Sequence, residues 1–315
     1  MIPSPVIVAA ANSIEWTDRS WQPGVWGCQL IDPCCQNCYA MKMAHRQSAQ
    51  GNYPKGITKL GPKGTGAQWT GLVLVATEEQ VRASAAAKLP KRPREDGRNW
   101  RIFTTSMGDL FHKDVPFWWL DVVFEEMTAR PWIDFQVLTK RADRMAAYDA
   151  DRKSRGLPWP SNAQAGVTCG TQKGADARVP DLLKVRAAVR FLSMEPLLTA
   201  VDLDQATCQY CGGFGNNIHH GHDGSWCTEC ESEAGFGAWL DPCADKDQPG
   251  INWVICGTES GTHRRPTDTD WIRAIRDQCS DRHVAFFLKQ ANFGNGIESL
   301  PLLDGRQWAE FPETA

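Results

Sequence analysis

The sequence predicts an α/β fold, a full or partial TIM-type (β/α) barrel that carries a small zinc-ribbon-like insertion. Short apolar runs of four to six residues recur along the chain, and each is followed by a helical or loop segment. This alternation is typical of buried parallel strands joined by right-handed crossovers. Polar and ionisable residues follow the strand ends, as they do at the active-site face of barrel enzymes. Six or seven such units favour a barrel, and an open doubly wound sheet is the main alternative.

Each strand is predicted from a short run of β-branched, aromatic and aliphatic residues, and each helix from apolar residues at helical spacing. A first strand or extended segment is expected at 13–16 or at 26–27, and a helix begins at about Gln36. The further strands are expected at 101–106, 134–139, 165–168, 190–193, 253–256 and 285–288. The further helical segments are expected at 117–127, 142–150, 175–183 and 269–279.

The composition favours a cytoplasmic protein. The chain has 315 residues, a formal net charge of -3 and twelve cysteines. No apolar run approaches the roughly 20 residues that span a bilayer, and the first residues lack the charged-then-apolar order of a secretory signal. Cysteines in metal-like spacings fit a reducing compartment better than a disulfide scaffold. The net charge argues against a protein that coats nucleic acid, and the basic run at 88–94 is expected to be a solvated loop.

Three cysteines near the N-terminus, Cys28, Cys35 and Cys38, form the most informative pattern in the chain. Thiolates are the ligands of iron–sulfur clusters, and three of them hold a 4Fe-4S cluster with one iron left open for chemistry. A structural zinc site is an alternative, in which the neighbouring Cys34 supplies a fourth ligand. A redox disulfide is a further alternative. The spacing alone leaves all three interpretations open.

Four ionisable residues at strand ends are candidates for contacts with a substrate or cofactor: Asp109, Lys140, Glu195 and Glu259. Each also has a structural interpretation. Asp109 would cap the following helix, Glu195 would be a buried carboxylate before a proline, and Lys140 would pair with a surface acid. Glu259 lies between two glycines, which permit close backbone approach by a ligand.

A second metal pattern lies between the fifth and sixth strands. The two CxxC pairs Cys208/Cys211 and Cys227/Cys230 are separated by fifteen residues, as in zinc ribbons, where four thiolates surround one ion. A ligand from the histidines at 219, 220 and 222 is a less favoured alternative. We expect residues 203–250 to form a zinc-binding insertion, which is too small for a large core and depends on the metal for stability. The barrel then comprises 1–202 and 251–315.

Several motifs together resemble the phage-type three-cysteine family of radical S-adenosylmethionine (SAM) proteins, which has kinship with spore photoproduct lyase-like enzymes. The resemblance covers nearly the whole chain. The matching segments lie at 26–28, 35–40, 106–112, 135–141, 190–198, 254–261 and 286–290. It implies that Cys28, Cys35 and Cys38 bind the cluster, although the spacing departs from the usual CxxxCxxC and Cys34 occupies a position that is glycine in the family. Tyr39 is expected to pack near the cluster or the adenine, or to be a structural aromatic residue.

The resemblance also implies a function. The open iron would bind the amine and carboxylate of SAM, and one-electron cleavage would give a 5′-deoxyadenosyl radical. The favoured reaction is isomerisation or modification of a nucleobase, such as hypermodified thymidine in phage DNA, with an electron donor such as flavodoxin, in the host cytoplasm if the chain is phage-encoded. A lesion-repair lyase and a non-catalytic zinc-binding adaptor are the alternatives. We expect a nucleic-acid or nucleotide substrate and no membrane association.

Overall fold

The computed structural model describes residues 14–62, 66–203, 206–208, 218–220, 225–227, 232–233, 236–238, 250–261, 263–294 and 296–312. The main sheet has eight strands among these residues. They are labelled here β1 (Arg19–Ser20), β2 (Trp100–Thr104), β3 (Ile133–Thr139), β4 (Ala163–Thr168), β5 (Arg190–Met194), β6 (Trp253–Gly257), β7 (Ala285–Ala291) and β8 (Glu298–Ser299).

Six α-helices are described. They are α1 (Tyr39–Ala49), α2 (Glu78–Lys88), α3 (Phe117–Thr128), α4 (Ala142–Ser154), α5 (Gln172–Leu183) and α6 (Thr269–Asp281). From β2 onward helices α3 to α6 alternate with the strands, and the sheet is mostly parallel. This arrangement confirms the α/β class and the partial (β/α) barrel. The predicted strands and helices from 101 onward are all present, with ends that differ by a few residues.

The chain divides into two compact units, and the first falls within Met1–Arg144 and Pro160–Gln164. In this unit β1 pairs with β2 and β2 pairs with β3, all in parallel. The central strand β3 is buried along almost its whole length, with Ile133, Phe135 and Val137 on one face and the buried polar residues Asp134 and Gln136 on the other. Helix α3 packs six side chains into the core, including the fully buried Trp119 and Phe124.

The second unit falls within Met145–Trp159 and Ala165–Ala315. Here β4 to β7 are parallel neighbours in chain order, and β8 closes the edge as an antiparallel strand. The pairing of β6 with β7 shifts register between Cys256 and Gly257, at the carboxyl end of β6. Helix α6 begins at the cap residue Asp268, whose side chain accepts a hydrogen bond from the backbone N–H of Asp270.

The extended segment predicted at 26–27 is present at Trp26, but it is not a strand of the main sheet. The segment Val25–Trp26 pairs with Leu74–Val75 in a separate antiparallel ribbon, and the first strand of the main sheet is β1. A second ribbon joins Thr58–Leu60 to Ala67–Trp69, and a third joins Leu302–Leu303 to Arg306–Gln307. The helix expected from about Gln36 begins three residues later, at Tyr39.

The described residues of the insertion form five short strands in two antiparallel groups. They are Ala206–Cys208 with Phe236–Ala238, and Ile218–His220, Ser225–Cys227 and Ser232–Glu233. Among the described parts of the chain, no helix combines the length and the apolar character that a bilayer-crossing segment needs.

Candidate metal centre

A capped turn fixes Cys35 and Cys38 at the start of α1. The carboxylate of Asp32 accepts a hydrogen bond of 2.7 Å from the backbone N–H of Cys34, which begins a short 3-10 turn at Pro33–Cys35. The backbone N–H of Cys38 donates to the carbonyl of Cys35 at 3.2 Å, and Cys38 is the N-cap residue of α1. Helix N-termini favour negative charge, so this position suits a thiolate.

Two glycines bring the loop of Cys28 against the residues that follow β2. The backbone N–H of Gly27 donates to the carbonyl of Met107 at 3.4 Å, and Gly27 forms an isolated parallel bridge with Gly108. Gly27 has φ +97°, and a Cβ atom there would overlap the carbonyl oxygen of Leu72. A Cβ atom on Gly108 would lie 2.6 Å from the carbonyl oxygen of Val25. Only glycine fits this close approach of two backbones.

Arg141 links the cysteine loop to Asp109. Its Nη1 lies 2.6 Å from Asp109 Oδ2 and 3.9 Å from Cys28 Sγ. The other oxygen of Asp109 accepts hydrogen bonds from Thr139 Oγ1 at 2.7 Å and from the backbone N–H of Phe111 at 2.9 Å. The carboxylate of Asp109 is therefore a positioning group that orients Arg141 toward Cys28. Arg141 Nη2 is buried and has no hydrogen-bond partner among the residues that the structure describes.

Burial and neighbouring charges set the pKa values of the thiols. Burial, together with the charge of Asp109, raises the pKa of Cys28 to about 11, and the charge of Arg141 opposes this rise. Burial also raises the pKa of Cys38, whereas Lys140 lowers it. Burial disfavours the charged form of Lys140, but Cys35 and Cys38 outweigh it and raise the pKa of that amine. The two consecutive cations after β3 thus face the cysteine thiols.

The charges around the three thiols suit a group that needs thiolate ligands. Among the described ranges, no three His, Cys, Asp or Glu side chains are close enough to hold one metal ion. Three thiolates concentrate negative charge, which Lys140 and Arg141 offset. Cys34 is buried and takes part in the turn through its backbone N–H.

Tyr39 is the first residue of α1, and 48% of its surface is exposed. It is therefore not a core aromatic residue. It lies next to Cys38 and about half of its side chain is open to solvent.

In the second unit, Glu195 forms an ion pair with Lys289. The Oε1 atom of Glu195 lies 3.0 Å from Lys289 Nζ, and the acid follows β5 directly. A Cβ atom on Gly257 would lie 3.1 Å from the same oxygen, so glycine makes room for the carboxylate. Lys289 was not predicted as a site residue, although it follows an apolar run in the same way as the predicted residues do. The pair provides one anionic and one cationic group at a strand end.

Glu259 holds the loop that follows β6. Its carboxylate forms a bidentate ion pair with Arg265, with distances of 2.5 Å from Oε1 to Nη2 and 3.0 Å from Oε2 to Nε. The backbone N–H of Arg265 also donates to Oε2 at 2.8 Å. Glu259 is 5% exposed. This geometry gives Glu259 a positioning role in the loop, because Arg265 contacts both of its oxygens.

The side chains of the four predicted zinc ligands fall outside the structural description. Cys211 and Cys230 lie outside the described residues, and Cys208 and Cys227 lie on short strands for which only the backbone is described. The four-cysteine zinc site therefore stays a prediction.

Comparison with known proteins places the chain in a family. No curated protein and no solved structure matches it. A family described as "Protein of unknown function (DUF5131)" matches residues 11–312, which is nearly the whole chain and includes the cysteine loop and the insertion. The chain belongs to the DUF5131 family.

Proposed function

We propose that this protein is a radical SAM enzyme whose 4Fe-4S cluster is held by Cys28, Cys35 and Cys38. The observation that carries the proposal is the placement of two consecutive cations, Lys140 and Arg141, beside the three thiols of one loop. When bound, the cluster would supply the one-electron chemistry that cleaves SAM to a 5′-deoxyadenosyl radical. The resemblance of the surrounding motifs to the three-cysteine radical SAM family supports the same assignment.

The protein groups around the thiols have defined tasks in this proposal. Arg141 lies at hydrogen-bonding distance from Cys28 Sγ and balances negative charge there, while Asp109 and Thr139 fix its position. Lys140 has the same electrostatic task beside Cys35 and Cys38. The N-terminus of α1 adds the partial positive charge of its backbone N–H groups. These cations oppose the rise in pKa that burial causes at Cys28 and Cys38, and so favour the thiolate forms that ligate iron.

The proposed substrate is a nucleobase, in DNA or as a nucleotide, that is isomerised or otherwise modified. In the second unit, Glu195 and Lys289 offer an acid and a base for substrate contacts. An electron donor such as flavodoxin would reduce the cluster, and the insertion would bind one zinc ion. A lesion-repair lyase uses the same cofactors, so only the products distinguish it from a modifying enzyme. A non-catalytic zinc-binding adaptor would need no cluster.

Anaerobic reconstitution with iron and sulfide, followed by metal analysis and a SAM-cleavage assay, tests the proposal. We expect about four irons per chain and dithionite-dependent release of 5′-deoxyadenosine. Cys28→Ala, Cys35→Ala and Cys38→Ala should each reduce this release at least a hundredfold in a folded protein. Cys34→Ala is the matched control, because its contribution to the turn is a backbone N–H that alanine retains. Only zinc at the N-terminal thiols, or full activity in the three variants, would contradict the proposal.

The reaction itself is tested by incubating the reduced enzyme with SAM and candidate DNAs, followed by digestion to nucleosides and mass spectrometry. A nucleoside with an altered side group indicates modification or isomerisation. Restoration of a damaged nucleoside indicates repair instead.

A further inference from the structure

The charges of this chain are divided unevenly along the sequence. Residues 33–77 contain five Lys and Arg residues and no Asp or Glu. This segment carries +5 and the whole chain carries -3, so the remaining residues carry -8. The basic segment begins inside the cysteine loop and ends where α2 begins. A chain that is acidic as a whole therefore has a strictly basic region next to the candidate metal centre, and a second such region at 80–94.

The exposed face of α1 combines cations with large apolar side chains. Tyr39, Lys42, Met43 and Arg46 are all exposed and follow the spacing i, i+3, i+4 and i+7, so they lie along one side of the helix. The opposite side buries Ala40, Met41, Ala44 and Ser48. The amphipathic pattern of α1 thus turns a basic and aromatic stripe toward solvent, and this stripe starts at the residue after Cys38.

The ribbon of Thr58–Leu60 with Ala67–Trp69 extends the basic surface beside α1. His45 Nδ1 lies 3.2 Å from Thr58 Oγ1, and Ser48 Oγ donates to the carbonyl of Pro54 at 2.8 Å. These contacts fix the segment that carries the exposed Lys55 and Lys59 against the helix. Four exposed cations therefore belong to one small substructure, which we call the basic face: Lys42, Arg46, Lys55 and Lys59.

The cations of the basic face form no ion pair with any residue that the structure describes. Elsewhere in the described structure most surface arginines are paired with acids. Examples are Arg82 with three glutamates, Arg273 with Asp270 and Asp304, and Arg98 with Asp96. Paired cations contribute little net field, whereas unpaired cations without nearby acids attract a polyanion.

The other basic stretch of the chain, residues 80–94, differs in that two of its five cations, Arg82 and Arg94, are paired with acids. Arg94 pairs with Asp18 and Asp96, and its guanidinium lies 4.8 Å from the ring centroid of Trp100. This stretch precedes Trp100, the first residue of β2, whereas the cysteine loop contacts the residues after the carboxyl end of that strand. Lys91 and Arg92 are exposed and lie in this stretch, so they serve as a matched control.

We propose that the basic face binds the sugar–phosphate backbone of a nucleic-acid strand, and that Tyr39 stacks on a base beside the cysteine loop. The identity of this strand as the substrate rests on the proposed function. Lysines and arginines that track phosphates, interleaved with an exposed aromatic ring, are the features of proteins that bind single-stranded nucleic acid. The surface also explains how a chain of net negative charge binds DNA, because the attraction is local.

The test is fluorescence anisotropy with a labelled 20-nucleotide DNA, single-stranded and as a duplex, over a series of salt concentrations and with the full chain. We expect K42E/R46E and K55E/K59E each to weaken binding at least tenfold and to reduce the salt dependence of log K by about one to two. K91E/R92E should bind as the unmodified protein does. Tyr39→Ala should weaken binding of the single strand about tenfold and leave duplex binding nearly unchanged, since paired bases are not open to stacking.

Three results would overturn the inference: unchanged binding in both charge-reversal variants, an equal loss in K91E/R92E, or salt-independent binding by the unmodified protein.

Binding of an acidic flavodoxin-type protein is measured with the same variants. If charge reversal removes binding of that protein and spares DNA, the face is a docking site for an electron donor and the inference is wrong. SAM cleavage without DNA is measured in parallel. Intact cleavage with failed DNA binding rejects the basic face alone, whereas charge-dependent DNA binding without a cluster rejects the proposed function alone.

Discussion

At the scale of single residues, the consecutive pair Lys140 and Arg141 determines the electrostatics around the cysteines. The pair follows β3, and the neighbours of the two side chains differ. Lys140 interacts with Cys35 and Cys38, while Arg141 contacts Asp109 and lies 3.9 Å from Cys28 Sγ. Asp109 serves the site through Arg141, because both of its oxygens are already engaged.

Replacement of Arg141 should change the reduction potential of the bound cluster. Arg141→Gln removes a positive charge beside one thiolate, so the cluster becomes harder to reduce and its potential falls. A tenfold shift in the ratio of reduced to oxidised cluster corresponds to about 59 mV for one electron, and we expect a fall of this order in a titration followed by electron paramagnetic resonance. Arg141→Lys keeps the positive charge and should restore part of the lost reduction potential. Arg144→Gln is the control, since Arg144 donates to backbone carbonyls instead; an equal fall there would contradict the assignment.

His112 should make the folded protein sensitive to mild acid. It is fully buried, its Nδ1 accepts a hydrogen bond from the backbone N–H of Asp114, and burial followed by the charge of Arg141 lowers its pKa. A depressed pKa means that the unfolded chain takes up the proton first, so stability falls as the pH drops below about 6.5.

The measurement is the free energy of unfolding in denaturant at pH 7.5 and pH 5.5. We expect the free energy of unfolding to fall more for the unmodified protein than for His112→Asn as the pH is lowered. The difference between the two falls should be at most about 1.4 kcal/mol per pH unit. Asparagine keeps an acceptor near the position of Nδ1 and does not titrate. Equal losses in the two proteins would show that His112 is not the group responsible.

At the scale of elements, the approach of the Cys28 loop to the end of β2 depends on glycine. Gly27→Ala would drive a Cβ atom into the carbonyl oxygen of Leu72, so the loop must move and Cys28 with it. We expect a loss of about 2 kcal/mol of stability and at least a tenfold loss of iron incorporation. Gly71→Ala is the matched control, because Gly71 has a similar φ of +88° with open space at the Cβ position. Equal effects in the two variants would mean that backbone strain alone, without the clash, matters.

At the scale of the whole molecule, the insertion between β5 and β6 should be separable from the barrel. Leu203 is fully buried and its backbone N–H donates to Gln278 Oε1 at 2.6 Å, so the barrel anchors the chain before the insertion. Replacement of residues 204–249 by a short Gly/Ser linker should remove one zinc per chain and change the melting temperature by no more than about 2 °C. Cys208→Ala should lose the same zinc. Retention of that zinc in the deletion variant would contradict the four-cysteine site.

The sequence by itself determined the local features of this protein. Strands such as β3 and helices such as α6 were predicted because apolar periodicity is a local property, and the cysteine loop was found because its three thiols lie within eleven residues. The strand near the N-terminus was missed, since β1 has only two residues and forms no recognisable pattern.

The tertiary structure alone decided which of the candidate residues act on one another. It brought Arg141 to Cys28 across 113 positions and engaged Glu259 with Arg265. It also placed the basic ribbon against α1. Hydrophobic periodicity is repeated within each element and can be read from the chain, whereas these contacts depend on packing between elements that the periodicity does not encode.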